Sequence, residues 1–130
     1  MRGYYSRSKY GNKQVKVDGI TFDSKKEANR YIELKMLQRA GAIKNLELQK
    51  EFELVPAQYE ATTERYTRGE KKGQLKRGKC LEKAVMYRAD FAYIEQGRLI
   101  VEDTKGVKTK DYIIKRKLML YVHGIRVREI

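Results

Sequence analysis

The stretch from Val85 to Lys105 constrains this chain more than any other, because it reads as a β-hairpin carrying charge where a sheet should be buried. Ala84-Val-Met-Tyr-Arg-Ala-Asp-Phe-Ala-Tyr-Ile94 and Arg98-Leu-Ile-Val-Glu-Asp-Thr104 are rich in β-branched and aromatic residues, and Gln96-Gly97 between them suits a two-residue turn. With that turn, Asp90 and Asp103 are directly opposed. Opposed Cβ atoms on an antiparallel pair lie about 4.5–5.5 Å apart, close enough for two carboxylates to share one divalent cation. Lys105, two residues past Asp103, returns to the same face. Met86, Ala92, Ile94, Leu99 and Val101 are expected on one side and Val85, Tyr87, Phe91, Tyr93 and Ile100 on the other, so both faces require cover. A solvated hairpin with surface ion pairs, each worth under about 1 kcal/mol, is the plain alternative, and these apolar flanks argue against it. Two acids and a lysine on central strands point to metal-dependent cleavage of nucleic acid.

The whole chain of 130 residues suits a single domain, residues 1–130, with one core and no separate recognition domain. A formal net charge of +13 calls for a polyanionic partner, nucleic acid before an anionic membrane surface. No apolar run is long enough for a membrane span, and the basic start lacks the apolar stretch of a signal peptide, so the expected location is the cytoplasm. With one cysteine, Cys80, and one histidine, His123, a zinc finger, a disulfide framework and a Cys-His nucleophile are all unsupported. Cys80 reads as a small residue in or beside a loop. His123, before Gly124, reads as a cation at a helix end.

Around the hairpin, the remaining elements follow from local pattern. Residues 1–13 read as a flexible basic arm with interspersed tyrosines. Gln14 to Phe22 forms a small hairpin around Asp18-Gly19. Ser24 opens a helix to about Ala40, stopped by Gly41, with Ala28, Tyr31, Ile32, Leu34 and Leu37 as its apolar stripe. Ser24 and Glu27 match a capping box, so Glu27 is a helix cap or a carboxylate turned toward Asp90 and Asp103. A strand from Leu46 to Val55 ends at Pro56. Residues 57–82 are a basic loop or an extension of two strands, and Arg65, Arg68, Lys71, Lys72, Lys76, Arg77 and Lys79, with Tyr59 and Tyr66, suit contact with phosphates. A helix from Tyr112 to Val122 points Ile114, Leu118, Tyr121 and Val122 at the core, Gly124 ends it, and 125–130 alternate as a last strand. No glycine-rich phosphate loop is present.

Asp90 followed by Asp103-Thr104-Lys105, with Glu27 on an earlier helix, resembles the PD-(D/E)XK nuclease superfamily, and the order helix, strand, strand, strand, helix, strand matches its αβββαβ core. Phe22-Asp-Ser-Lys-Lys-Glu-Ala28, Tyr87-Arg-Ala-Asp-Phe91 and Val101-Glu-Asp-Thr-Lys-Gly106 look more closely like a family of small phage-encoded proteins in that superfamily, known as a domain of unknown function. Ala89 stands where that motif has proline. Glu102 competes with Asp103 for the acidic position, and strand parity favours Asp103, since Glu102 faces away from Asp90.

The resemblance implies a restriction-endonuclease-like α/β fold: a mixed sheet flanked by helices, with an N-terminal hairpin and a basic insertion. It implies a magnesium-dependent endonuclease, with manganese able to substitute. Asp90, Asp103 and the Thr104 backbone carbonyl would hold the metal, Glu27 would act through water or on a second ion, and Lys105 would orient water or stabilise charge. Lys108, Lys110, Tyr112, Lys115 and Lys117 would hold the substrate backbone. The implied substrate is branched DNA such as a Holliday junction, cut by a homodimer. A binding module that keeps the fold without chemistry is the rival, and clustered acids facing a phosphate count against it.

Overall fold

The computed structural model describes residues 13–130; apart from Lys13, the basic arm expected at 1–13 lies outside the described residues. The fold is α/β, with a four-stranded mixed sheet, two helices and an N-terminal hairpin. β1 (Val15–Val17) and β2 (Ile20–Phe22) pair across Asp18-Gly19, whose φ values of 51° and 77° are those of a primed turn. α1 (Lys25–Arg39) starts at Ser24, whose Oγ accepts a hydrogen bond from the Glu27 N–H, and Gly41 follows its end at φ 81°. Ala28, Tyr31 and Leu34 are buried together with Glu27, whereas Ile32 and Leu37 are exposed. The buried stripe is therefore rotated toward Glu27 and narrower than the apolar pattern implies.

The sheet is formed by β3 (Lys44–Val55), β6 (Val85–Glu95), β7 (Arg98–Asp103) and β8 (Arg128–Glu129), in that order. β3, β6 and β7 are antiparallel neighbours, and β8 runs parallel to β7. Pairing of Glu95 with Arg98 leaves Gln96-Gly97 as the expected two-residue turn, at φ 51° and 76°. Between β3 and β6 the chain makes an arm: β4 (Gln58–Tyr59) pairs with β5 (Cys80–Glu82), and Arg65 bridges to Leu75. Of the two readings of 57–82, the strand extension is the one found. Cys80 lies exposed on β5.

α1 and the hairpin cover one face of the sheet, enclosing Phe22, Ala28, Tyr31, Leu34, Ile43, Phe91 and Tyr93. On the other face α2 (Lys110–His123) packs Tyr112 and Met119 against Phe52, Leu54, Tyr87, Ala89, Ala92 and Val101. Both faces of the hairpin are thus covered, as its apolar flanks require. The expected sorting of its residues is not kept. Tyr87 and Ala89 belong with α2, Phe91 and Tyr93 with α1, although all four are odd-numbered. β3 does the same: Leu46 and Leu48 pack on the α1 side, Phe52 and Leu54 on the α2 side. The register is unbroken across this step, with Leu48 opposite Phe91 and Lys50 opposite Ala89. Gln49, between them, has φ 53°. A left-handed residue turns the pleat over without inserting a residue, and both strands change sides together opposite Asp90.

α2 also departs from expectation. Its buried stripe runs through Tyr112 and Met119 with Leu118 partly covered, while Ile114, Tyr121 and Val122 are exposed. Tyr112 is drawn inward beside Tyr87, ring centroids 6.4 Å apart, and this sets the helix rotation. Gly124 ends α2 in the left-handed conformation, φ 67°. His123, at that end as expected, also meets the Glu53 carbonyl at 2.6 Å. Of the expected last strand at 125–130, only Arg128–Glu129 pairs, and Val127 is buried in the α2 core.

Candidate active site

Continuing the β6–β7 register one step beyond Phe91 and Glu102 sets Asp90 opposite Asp103, as the turn requires. Asp90 lies at the point where the pleat turns over, so its carboxylate is reached from both sides of the sheet. Its Oδ2 accepts two hydrogen bonds from Thr104, from the backbone N–H at 2.8 Å and from Oγ1 at 2.7 Å. Its Oδ1 lies 3.5 Å from Gln49 Nε2, which donates at 3.0 Å to Glu27 Oε1. Gln49 therefore joins the α1 carboxylate to the strand carboxylate. The Ser24 hydroxyl caps the helix, and the Glu27 carboxyl takes a backbone hydrogen bond from Asp23 while also meeting Gln49 and the charges of Asp90 and Asp103.

Asp103 is 1 % exposed. Its Oδ2 accepts from the Tyr87 hydroxyl at 2.7 Å, and its Oδ1 is buried without any hydrogen-bond partner among the described residues. Burial above all, and then the Asp90 charge, raise the Asp103 carboxyl to about 6, against the lowering effects of Tyr87 and Lys105. Glu27 is raised to about 7 by burial first, then by the charges of Asp90, Asp23 and Asp103. Lys105 lies beyond the end of β7 and is exposed; its Nζ is over the Tyr112 ring, 5.6 Å from the centroid. The Tyr112 hydroxyl is likewise buried without a partner among the described residues.

A cleft of about 570 Å³ opens over this group, lined by Asp23, Ser24, Glu27, Asp90, Thr104, Lys105, Gly106, Val107 and Thr109. A cavity of about 610 Å³ at the far end of α1, between Gln38 and Leu46, has Lys44 as its one titratable lining residue. The acidic side chains lie at the first of these two. Its donor set fits a divalent cation. A buried carboxylate oxygen without a donor, next to a second carboxylate, is a costly arrangement that a cation relieves. Among the described residues no three acidic, His or Cys side chains form a metal cage by themselves. A cation here would rest on Asp90, Asp103 and backbone or water oxygens, the mixed set that magnesium accepts.

Glu102 is absent from this group. It is fully buried on the α1 face, held by Arg30 through Nε at 2.8 Å and Nη2 at 2.7 Å, and bonded by the Tyr93 hydroxyl. Arg128 in turn donates to that hydroxyl at 3.2 Å. Strand parity thus separates Glu102 from Asp103.

Glu27, Asp90, Thr104 and Lys105 line the cleft, Asp103 lies buried beside Asp90 and outside that lining, and Lys108 and Lys110 stand on either side of the cleft residue Thr109. Lys108 is already ion-paired with Glu129 at 3.1 Å, and Lys115 is half-buried. Arg65, Arg68, Lys71, Lys72, Lys76 and Arg77 lie on the arm, outside the cleft. Sequence reasoning missed Gln49, Asp23 and the role of Tyr87. Asp23 carried a signal, being adjacent to the Ser24 cap of the helix that presents Glu27.

Among the described residues no helix is long and apolar enough to cross a membrane. No curated protein and no solved structure matches the chain. A family model described as a protein of unknown function, DUF1064, matches residues 7–128. The chain, acid cluster included, belongs to that family.

Proposed function

We propose that the protein is a divalent-metal-dependent endonuclease of the PD-(D/E)XK type that hydrolyses DNA phosphodiesters, selective for branched DNA such as Holliday junctions in phage recombination or replication. The observation that carries this reading is the bare, buried Asp103 Oδ1 beside Asp90, with Lys105 close enough to offset the Asp103 charge. The element order αβββαβ and the placement of Glu27 at the same cleft support it.

Magnesium, or manganese in its place, would supply Lewis-acid polarisation of a phosphoryl oxygen and a more acidic water. The protein's own groups do the rest. Thr104 fixes the Asp90 carboxylate by two donors, Tyr87 fixes that of Asp103, and Lys105 presents its ammonium to charge developing on phosphorus-bound oxygens. Lys105 lies close enough to act on the charge of Asp103 and serves as an electrostatic group. Glu27, raised to about 7, is suited to hold a water or pass a proton at the cleft. A homodimer would make the paired cuts that resolve a junction.

The test is cleavage of a labelled four-way junction beside matched linear duplex and single strand, with magnesium and with EDTA, for wild type and Asp90→Ala. Symmetric cuts that need both magnesium and Asp90 are expected. Binding without cleavage across metals overturns the reading in favour of a non-catalytic nucleic-acid-binding accessory protein.

A further inference from the structure

The arm between β3 and β6 has a design of its own. Beyond Pro56 the two strands continue as a ribbon through β4 and β5, the Glu60 N–H to Lys79 carbonyl bond at 2.8 Å, the Lys76 N–H to Glu64 carbonyl bond at 2.8 Å and the Tyr66–Gln74 bond at 3.0 Å. Gly69 and Gly73, at φ 77° and 86°, shape its tip. Every residue from 57 to 82 is exposed or half-buried, so the ribbon contributes nothing to either core. A two-stranded ribbon of this kind is marginally stable by itself and costs ordering entropy, which asks for a partner.

Its charges name that partner's chemistry. Among the described residues, none of Arg65, Arg68, Lys71, Lys72, Lys76, Arg77 and Lys79 is ion-paired with a carboxylate. Several are instead held against rings: the Arg77 guanidinium over Tyr59 at 4.4 Å, and the Lys71 and Lys76 ammonium groups over Tyr66 at 5.7 and 5.8 Å. This arrangement orders the cations while leaving their hydrogen-bond donors free. It also occupies aromatic faces that single-stranded bases would need for stacking. Arg65 donates to the Gly73 carbonyl at 2.7 Å and braces the tip.

We infer that this arm is a sequence-independent clamp for the phosphate backbone of double-stranded nucleic acid. The inference deepens the nuclease reading, on which it rests only for the idea that the duplex is also a substrate. The arm leaves the sheet five residues along β6 from Asp90, roughly 17 Å at strand rise. A duplex gripped there reaches the cleft with its backbone intact, and the arm then favours duplex arms of a junction over free single strands.

The experiment is fluorescence anisotropy of labelled duplex DNA and the matching single strand in EDTA, across a salt series. Wild type is compared with the Lys71→Gln/Lys76→Gln/Arg77→Gln variant and with Tyr59→Leu/Tyr66→Leu, the fold of each checked by circular dichroism. The triple variant is expected to lose at least ten-fold in duplex affinity, with the log–log salt slope smaller by roughly 3. The tyrosine variant should weaken duplex binding less, since it frees the cations without removing them. Wild-type duplex affinity in the triple variant overturns the inference. So does preferred single-strand binding that the tyrosine changes abolish, or arm-dependent capture of anionic phospholipid vesicles without duplex binding. Arm-dependent duplex binding by a protein that cuts nothing leaves the clamp standing and removes the nuclease; cutting that ignores the arm does the reverse.

Discussion

Glu102 and Asp103 are neighbours on one strand and live in opposite electrostatic worlds. Glu102 faces α1, where Arg30 makes a two-pronged contact and the Tyr93 hydroxyl adds a third donor. Asp103 faces the other way, takes one hydrogen bond from Tyr87 and keeps one oxygen bare. Both are buried, so both lose hydration; only one is repaid within the described protein. A closed carboxylate ties elements together, here α1, β6, β7 and β8. An open one leaves an oxygen without a donor, the feature on which the metal proposal rests.

The sharpest way to break this contrast is to remove the charge at each position. Asp103→Asn is expected to abolish cleavage by at least about a thousand-fold, roughly 4 kcal/mol of barrier, while leaving the melting temperature unchanged or higher, because an unpaired buried charge disappears. Arg30→Leu should do the opposite. It strands Glu102 and should cost about 3–5 kcal/mol of stability, read as a melting temperature lower by roughly 10–20 °C. Equal stability loss in both variants would sink the contrast.

Next in size is the response to pH. Glu27 and Asp103 are raised in the folded protein to about 7 and about 6, above their ordinary values of 4.5 and 3.8. The folded state therefore holds protons that the unfolded chain has released, and stability falls as pH rises from about 4 through 7. In EDTA, chemical denaturation should show wild type losing roughly 2–4 kcal/mol across that window relative to Glu27→Gln/Asp103→Asn. Saturating magnesium at pH 8 should recover most of it. A flat difference between the two proteins would show that the carboxylates are not crowded in solution.

The smallest expected effect belongs to Gln49. A non-glycine residue at φ 53° carries about 1 kcal/mol of strain or more. Gln49→Gly should leave stability within about 1 kcal/mol of wild type, or raise it, yet slow cleavage about ten-fold by untying Glu27 from Asp90. Cleavage at the wild-type rate would reduce Gln49 to a residue that merely turns the pleat.

Much of this was legible in local pattern. Asp18-Gly19 and Gln96-Gly97 lie in the expected turns, because only a few residue pairs tolerate two positive φ values. Ser24 caps α1 since its hydroxyl suits an orphan N–H, and Gly124 ends α2 for want of a Cβ. From the second turn, register alone carries Asp90 opposite Asp103 and turns Glu102 away. Less was legible where side chains compete. Tyr112 rather than Ile114 took the inward position on α2, because its ring packs beside Tyr87 and under Lys105.

What the sequence by itself determined is the set of turns, caps and alternations, all short-range effects of backbone sterics, and with them the register that pairs two acids. What only the tertiary structure decided is which face each carboxylate meets. The pleat turns over at Gln49, opposite Asp90, and nothing in that residue type announces a left-handed backbone. That inversion brings Tyr87 to Asp103 and lets Glu27, from the opposite face, join Asp90 through Gln49. Residues far apart in the chain supply these partners, and their energy depends on burial, which exists only once both helices have closed on the sheet.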